Sequence, residues 1–184
     1  MKSCIAYIDG GSRGNPGIAG YGVVVLDDHR NTLAEISESI GIQTNNYAEY
    51  TAFIGALRYA TTHQYDSLRV YADSELLVRQ INGQYKIRNA NLKGLYDQAQ
   101  SLIQGLKQFS IQHIPREGNQ DADRLANLAM DKAGSIDTET PLPLKFVRAV
   151  FRSGCFHPLH PLNLPEGAEF QLTVEPMKNR LNQD

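Results

Sequence analysis

Four carboxylates in this chain stand in contexts suited to holding a hard cation: Asp9 in CIAYIDGGSRGNPG, Glu49 in TNNYAEY, Asp73 in VYADSELL and Asp123 in EGNQDADRLAN. Asp9 and Asp73 each follow an apolar, strand-like run (residues 3–8 and 68–72), and functional side chains gather at strand ends in α/β sheets. Glu49 falls in the first turn or so of an expected helix, and Asp123 in the first turn of another. An acid near a helix N-terminus also has an ordinary role, worth about 0.3–1 kcal/mol against the helix dipole. Asp73 or Ser74 can likewise serve as a helix cap. The set carries more weight than any member. Gathered by a fold, these acids would build a site of oxygen ligands that divalent cations neutralise.

The elements that must do the gathering follow from hydrophobic periodicity. Residues 3–8 form a buried strand ending at Asp9. The segment 10–17, GGSRGNPG, is a turn too rich in Gly and Pro to continue an element. Residues 21–26 and 32–40 make two further strands around the polar loop 27–31. A helix over about 47–63, capped by Thr44 or Asn45, precedes a short strand at 68–72. Ser74 opens a helix that stops near Gly83, another spans about 92–106, and residues 109–114 alternate as a fifth strand. Asn119 caps a last helix whose Ala122, Leu125, Ala126 and Ala129 share one face. A meander followed by strands separated by helices predicts an α/β fold, a five-stranded mixed sheet flanked by helices.

Composition narrows the class. The chain has 184 residues, 41% hydrophobic and 21% charged, with a net charge of −2. These are values of a folded globular protein with no global basic field, so affinity for nucleic acid must come from a local patch or bound cations. The two cysteines, Cys4 and Cys155, make neither a disulfide framework nor a zinc site, and Cys4 lies in a strand pattern as a buried thiol. No run approaches a membrane span, and the N-terminal apolar run is cut short by Asp9, so a cytoplasmic location is expected.

With all the blocks in view, DGGSRGNPGxAGxG, TNNYAEYxAxxxAL, YADSELLVRQINGxYKIRN and HIPREGNxxADRLANxAMD resemble ribonuclease H of type 1, in the short form without an inserted basic helix. The likeness covers about residues 1–134. It implies the ribonuclease H-like fold and an endonuclease that hydrolyses the RNA strand of RNA–DNA hybrids, leaving 5′-phosphate and 3′-hydroxyl ends. It also implies that Asp9, Glu49, Asp73 and Asp123 bind two Mg²⁺ ions, with Mn²⁺ as a substitute. Such ions, about 3.5–4 Å apart, serve the attacking and leaving oxygens of an in-line displacement, and oxygen ligands without His or Cys suit them. By the same resemblance Asp9 bridges both ions, Asp73 and Glu49 complete one side, and Asp123 the other.

Choosing RNA requires contact with the 2′-hydroxyl. Asn15, Asn45 and Asn46 resemble the family's minor-groove contacts, although turn formation and capping also use Asn. Arg13, Lys86, Arg88 and Arg116 are candidate phosphate partners, and for Lys86 and Arg88 a solvated surface charge is an equal reading. Glu75 stands where relatives often carry Gln. Some members place a mobile His in the loop before the last acid; here His113 at the strand end and Arg116 in the loop both stand near it. Arg cannot act as a general acid near neutral pH, but it could neutralise the leaving phosphate. Without a basic protrusion, hybrid binding should be weaker unless another element compensates.

After residue 134 the composition changes. Residues 135–143 read as a linker and 144–184 as a small β-rich extension, with strand-like runs at 145–151 and 170–174. The pattern VxAVFxxGxFxPLxPLxLPEGxxxxLTV resembles short β-domains proposed as antitoxins and implies self-association or a protein partner; a plain stabilising tail is the other reading. The whole chain carries two alternatives to the hydrolase: a catalytically weak hybrid-binding module and a regulatory interaction protein.

Overall fold

The apolar run that begins at Ser3 does not stop at Asp9. In the computed structural model, which describes residues 1–134, 149–152 and 155–158, strand β1 spans Ser3–Gly14 and pairs antiparallel with β2 (Gly17–Leu26) from Ile5 to Gly14, Asp9 lying opposite Gly22. The expected turn over 10–17 therefore shrinks to Asn15 and Pro16, and Asp9 sits inside a strand. Gly10, one of the glycines that suggested a turn, serves a different purpose, shared with Gly22 in β2. A Cβ on Gly10 would run into the backbone of Ala48 and Glu49, and one on Gly22 into the carbonyl of Ala122. These bare positions let helices lie directly on the strands.

Strand β3 (Thr32–Gln43) pairs antiparallel with β2, whereas β4 (Ser67–Ala72) runs parallel to β1 and β5 (Gln108–His113) parallel to β4. The sheet order is β3-β2-β1-β4-β5, the expected five-stranded mixed sheet. Helix α1 (Asn45–Thr62) packs on one face, where Tyr21 and Val23 meet Gly55. It buries Ala48, Tyr50, Phe53, Ile54 and Leu57 because α3 (Ala90–Ile103) packs against it in turn. Helix α4 (Gln120–Gly134) packs on β2, β1 and β3, its small residues Ala122, Ala126 and Ala129 allowing close contact where Gly20 and Gly22 lie. Successive strand residues face opposite sides, so α1 and α4 cover opposite faces. The short α2 (Glu75–Ile81) follows β4 and is capped by Ser74. Cys4 is fully buried in the core as a free thiol.

The helix boundaries shift one expectation. Thr44 is the cap of α1, accepting from the Tyr47 N–H, so the helix begins at Asn45 and its first turn holds no acid. Glu49 is one turn further in, beyond the strongest part of the helix dipole.

The chain divides into two compact units, Met1–Thr140 and Pro141–Asp184. Within the second, β6 (Ala149–Arg152) pairs antiparallel with β7 (Cys155–Pro158). The expected linker over 135–143 and the strand over 170–174 lie outside the described residues. Among the described residues no helix is long and apolar enough to cross a membrane.

Candidate active site

β1 and β4 part company at two acids. Their parallel pairing ends at Ile8↔Ala72, and the next residues of each are Asp9 and Asp73. β1 continues along β2, while the chain after Asp73 turns into the cap of α2. The bare Gly10 brings the backbone of Glu49 onto β1 beside them. Carboxylate oxygens of Asp9, Glu49 and Asp73 consequently all lie within 4.8 Å of one another.

The electrostatics of this trio are unfavourable without a counter-charge. Burial, then the neighbouring Asp73 and Asp123, pushes Asp9 from the ordinary carboxylate range up to about 7. Burial, then Asp9 and Asp73, holds Glu49 well above its usual value. Glu49 is 5% exposed, and its Oε2 atom has no hydrogen-bond partner. A buried carboxylate oxygen left bare costs roughly 1–3 kcal/mol or more, and it faces a cluster of acids that the charge of Arg116 offsets only in part, at Asp9. The donor set is all oxygen, which fits a hard divalent cation and not a thiophilic metal.

Asp123 stands outside that trio. It lies on the first turn of α4, where its Oδ1 accepts from Arg116 Nη2 at 2.6 Å and its Oδ2 from Asn127 Nδ2 at 3.1 Å. Its charge still reaches Asp9, being one of the causes of that group's raised proton affinity. Arg116 belongs to a 3-10 turn, Arg116–Gly118, between β5 and α4, and is 74% exposed at its side chain. His113 is the last residue of β5 and is exposed.

Asn119 does not cap α4 with its side chain as expected. It is 1% exposed, and its Nδ2 donates to the Ile8 carbonyl at 2.8 Å and to Asp73 Oδ1 at 3.0 Å, leaving its own Oδ1 without a partner. No sequence pattern marks this role, since Asn before a helix is already accounted for by capping.

The asparagines expected at the substrate meet on one side. Asn15 Oδ1, in the β1–β2 turn, accepts from the Asn45 N–H at the start of α1 at 3.2 Å, and exposed Asn46 follows. Arg13 pairs with Asp131 of α4. Lys86 and Arg88 are exposed on the irregular segment between α2 and α3. Glu75 is held by Arg79 at 2.5 Å on the exposed side of α2.

Comparison with known proteins places this arrangement among relatives. Residues 7–129 match the model of the reverse transcriptase-like family, and residues 144–183 match the AF2212-like model. The chain is 44% identical over 140 residues to a bifunctional protein of Mycobacterium tuberculosis, the match covering 76% of this chain but only 38% of that relative's length. It is 31% identical over 147 residues to a ribonuclease H of Ruthia magnifica, covering 72% of this chain and 98% of the relative. Among solved structures it is similar to LC11-RNase H1 in complex with an RNA/DNA hybrid, with 44% identity and a TM-score of 0.68 over 72% of this chain and 99% of the other.

Proposed function

The chain belongs to the ribonuclease H family, and we propose that it is an endonuclease hydrolysing the RNA strand of RNA–DNA hybrids, leaving 5′-phosphate and 3′-hydroxyl ends. The observation that carries this reading is the trio Asp9, Glu49 and Asp73, with its oxygens within 4.8 Å and the Oε2 of buried Glu49 unpartnered. The likeness to a relative solved with an RNA/DNA hybrid supports the substrate class.

Asp9, Glu49 and Asp73 would hold one divalent cation, Mg²⁺ or in its place Mn²⁺, and Asp9 with Asp123 a second. When bound, the two ions supply the positive charge that an in-line displacement at phosphorus needs on its attacking and leaving oxygens. The chain's own residues do the rest. Gly10 admits Glu49 to the site, Ser74 ends the β4 segment so that Asp73 stays beside Asp9, and α4 delivers Asp123 from the opposite face of the sheet. Arg116, exposed and next to Asp123, would leave that carboxylate and neutralise the 5′-phosphate of the cleaved product. Asn15, Asn45 and Asn46 offer amide donors and acceptors to the 2′-hydroxyls of the RNA strand, with Arg13 available to a backbone phosphate. A cytoplasmic role fits such a substrate.

The experiment is cleavage of an end-labelled RNA–DNA hybrid beside DNA duplex and RNA duplex, with Mg²⁺, Mn²⁺ or EDTA. The hybrid alone should be cut, in the RNA strand, and EDTA should stop it. Equal cleavage of DNA duplex, or cleavage unaffected by EDTA, would overturn the reading.

A further inference from the structure

Three of the acid-bearing segments meet at one buried residue. Asn119 Nδ2 donates to the carbonyl of Ile8, the residue before Asp9, and to the carboxylate of Asp73 itself. The backbone carbonyl of Asn119 accepts from the N–H of Asp123 at 3.0 Å. One residue that is 1% exposed thus touches β1 and the end of β4 with its side chain and the start of α4 with its backbone carbonyl. We propose that Asn119 is a positioning residue, holding Asp73 and Asp123 in register with Asp9 so that the carboxylates present a preformed cation site. The inference rests on the reading of these acids as cation ligands.

Capping alone does not account for Asn here. Ser, Thr and Asp cap a helix about as well, but a hydroxyl has one proton to give and a carboxylate none. Two acceptors, one in β1 and one just past the end of β4, converge on this nitrogen, which calls for the two-proton donor of an amide. The amide orientation follows from the same partners, because the reverse would set an oxygen against two oxygens. The arrangement also leaves Asn119 Oδ1 buried and unpaired, a cost that a residue selected only for core packing would avoid. Outer residues of this kind orient the ligands of metal sites, and their loss typically weakens metal binding about 10–100-fold.

The test compares the full chain with Asn119→Ala and Asn119→Ser, the latter retaining one donor. Mg²⁺ affinity is measured by calorimetry, Tm in EDTA by circular dichroism, and kcat and KM on a labelled hybrid. The expected result is Mg²⁺ binding weakened about tenfold or more for Asn119→Ala, with kcat reduced and KM for the hybrid unchanged. Asn119→Ser should fall between it and wild type, and serves alone if the alanine variant does not fold. A folded variant with lowered Tm but wild-type Mg²⁺ affinity and kcat would make Asn119 a purely structural residue and overturn the proposal. Absence of Mg²⁺ binding by the wild type is a different failure: it would remove the metal reading on which the inference stands.

Discussion

Arg116 and Asp123 form an ion pair at 2.6 Å across the turn that leads into α4, and both partners reach solvent, with side chains 74% and 28% exposed. Exposed pairs contribute about 0–1 kcal/mol, so an incoming phosphate or cation can separate them. Arg116→Ala should lower kcat about tenfold, equivalent to roughly 1.4 kcal/mol, while hybrid affinity measured in EDTA changes far less. Loss of affinity with kcat preserved would make Arg116 a phosphate anchor instead.

Asp9→Asn tests the centre of the site. The substitution removes a carboxylate whose proton affinity is raised by burial and by Asp73 and Asp123, so Tm in EDTA should hold or rise. Cleavage of the hybrid should disappear. Wild-type turnover by this variant would exclude Asp9 from the chemistry.

The raised carboxylates set a pH dependence. Asp9 titrates near 7 in the native protein against 3.8 ordinarily, and Glu49 is shifted in the same direction. Between these values the native state holds protons that the unfolded chain has released, so the stability contributed by Asp9 falls as pH rises from about 4 to about 7 and levels off above. A divalent cation displaces those protons, and its stabilising effect should grow over the same interval. Tm recorded against pH for wild type and Asp9→Asn, with EDTA and with Mg²⁺, isolates the contribution of Asp9. A wild-type-minus-variant difference that rises with pH in EDTA would contradict it.

Discrimination between RNA and DNA should reside in the asparagine group. Replacing Asn15, Asn45 and Asn46 together by Ala removes the Asn15–Asn45 hydrogen bond and the amides proposed to face the substrate. Preference for hybrid over DNA duplex in competition binding should drop about tenfold, matching the loss of one or two hydrogen bonds of about 1 kcal/mol each. Unchanged preference would move the discrimination elsewhere.

Close packing of α4 on β2 gives a prediction about stability. A Cβ at Gly22 would meet the carbonyl of Ala122 and the side chain of Leu125. Gly22→Ala should destabilise by about 1–3 kcal/mol, the usual cost of overpacking, visible as a lower Tm.

Most of the architecture was legible because its signals are periodic: the alternation in β5, the apolar face of α4 and the caps at Thr44 and Ser74. The β1–β2 hairpin was misjudged because glycine has two meanings. At Gly10 and Gly11 it marks contact with a helix some distance along the chain, and a local reading takes it for a turn. The four acids were legible through the blocks around them. Their grouping was not, since whether Asp123 lies with the trio or against Arg116 depends on side-chain geometry. Asn119 was hidden by a sufficient local explanation.

The bond from Asn119 to Ile8 spans 111 residues, and this bears on biosynthesis. Chains emerge from the ribosome N-terminus first, so Asp9 and Glu49 are exposed long before Asn119 and Asp123 exist to complete their surroundings. A growing polypeptide therefore carries no finished nuclease site until α4 (Gln120–Gly134) has been made. Arrival of α4 joins Asn119 and Asp123 to the strands already made and completes the site.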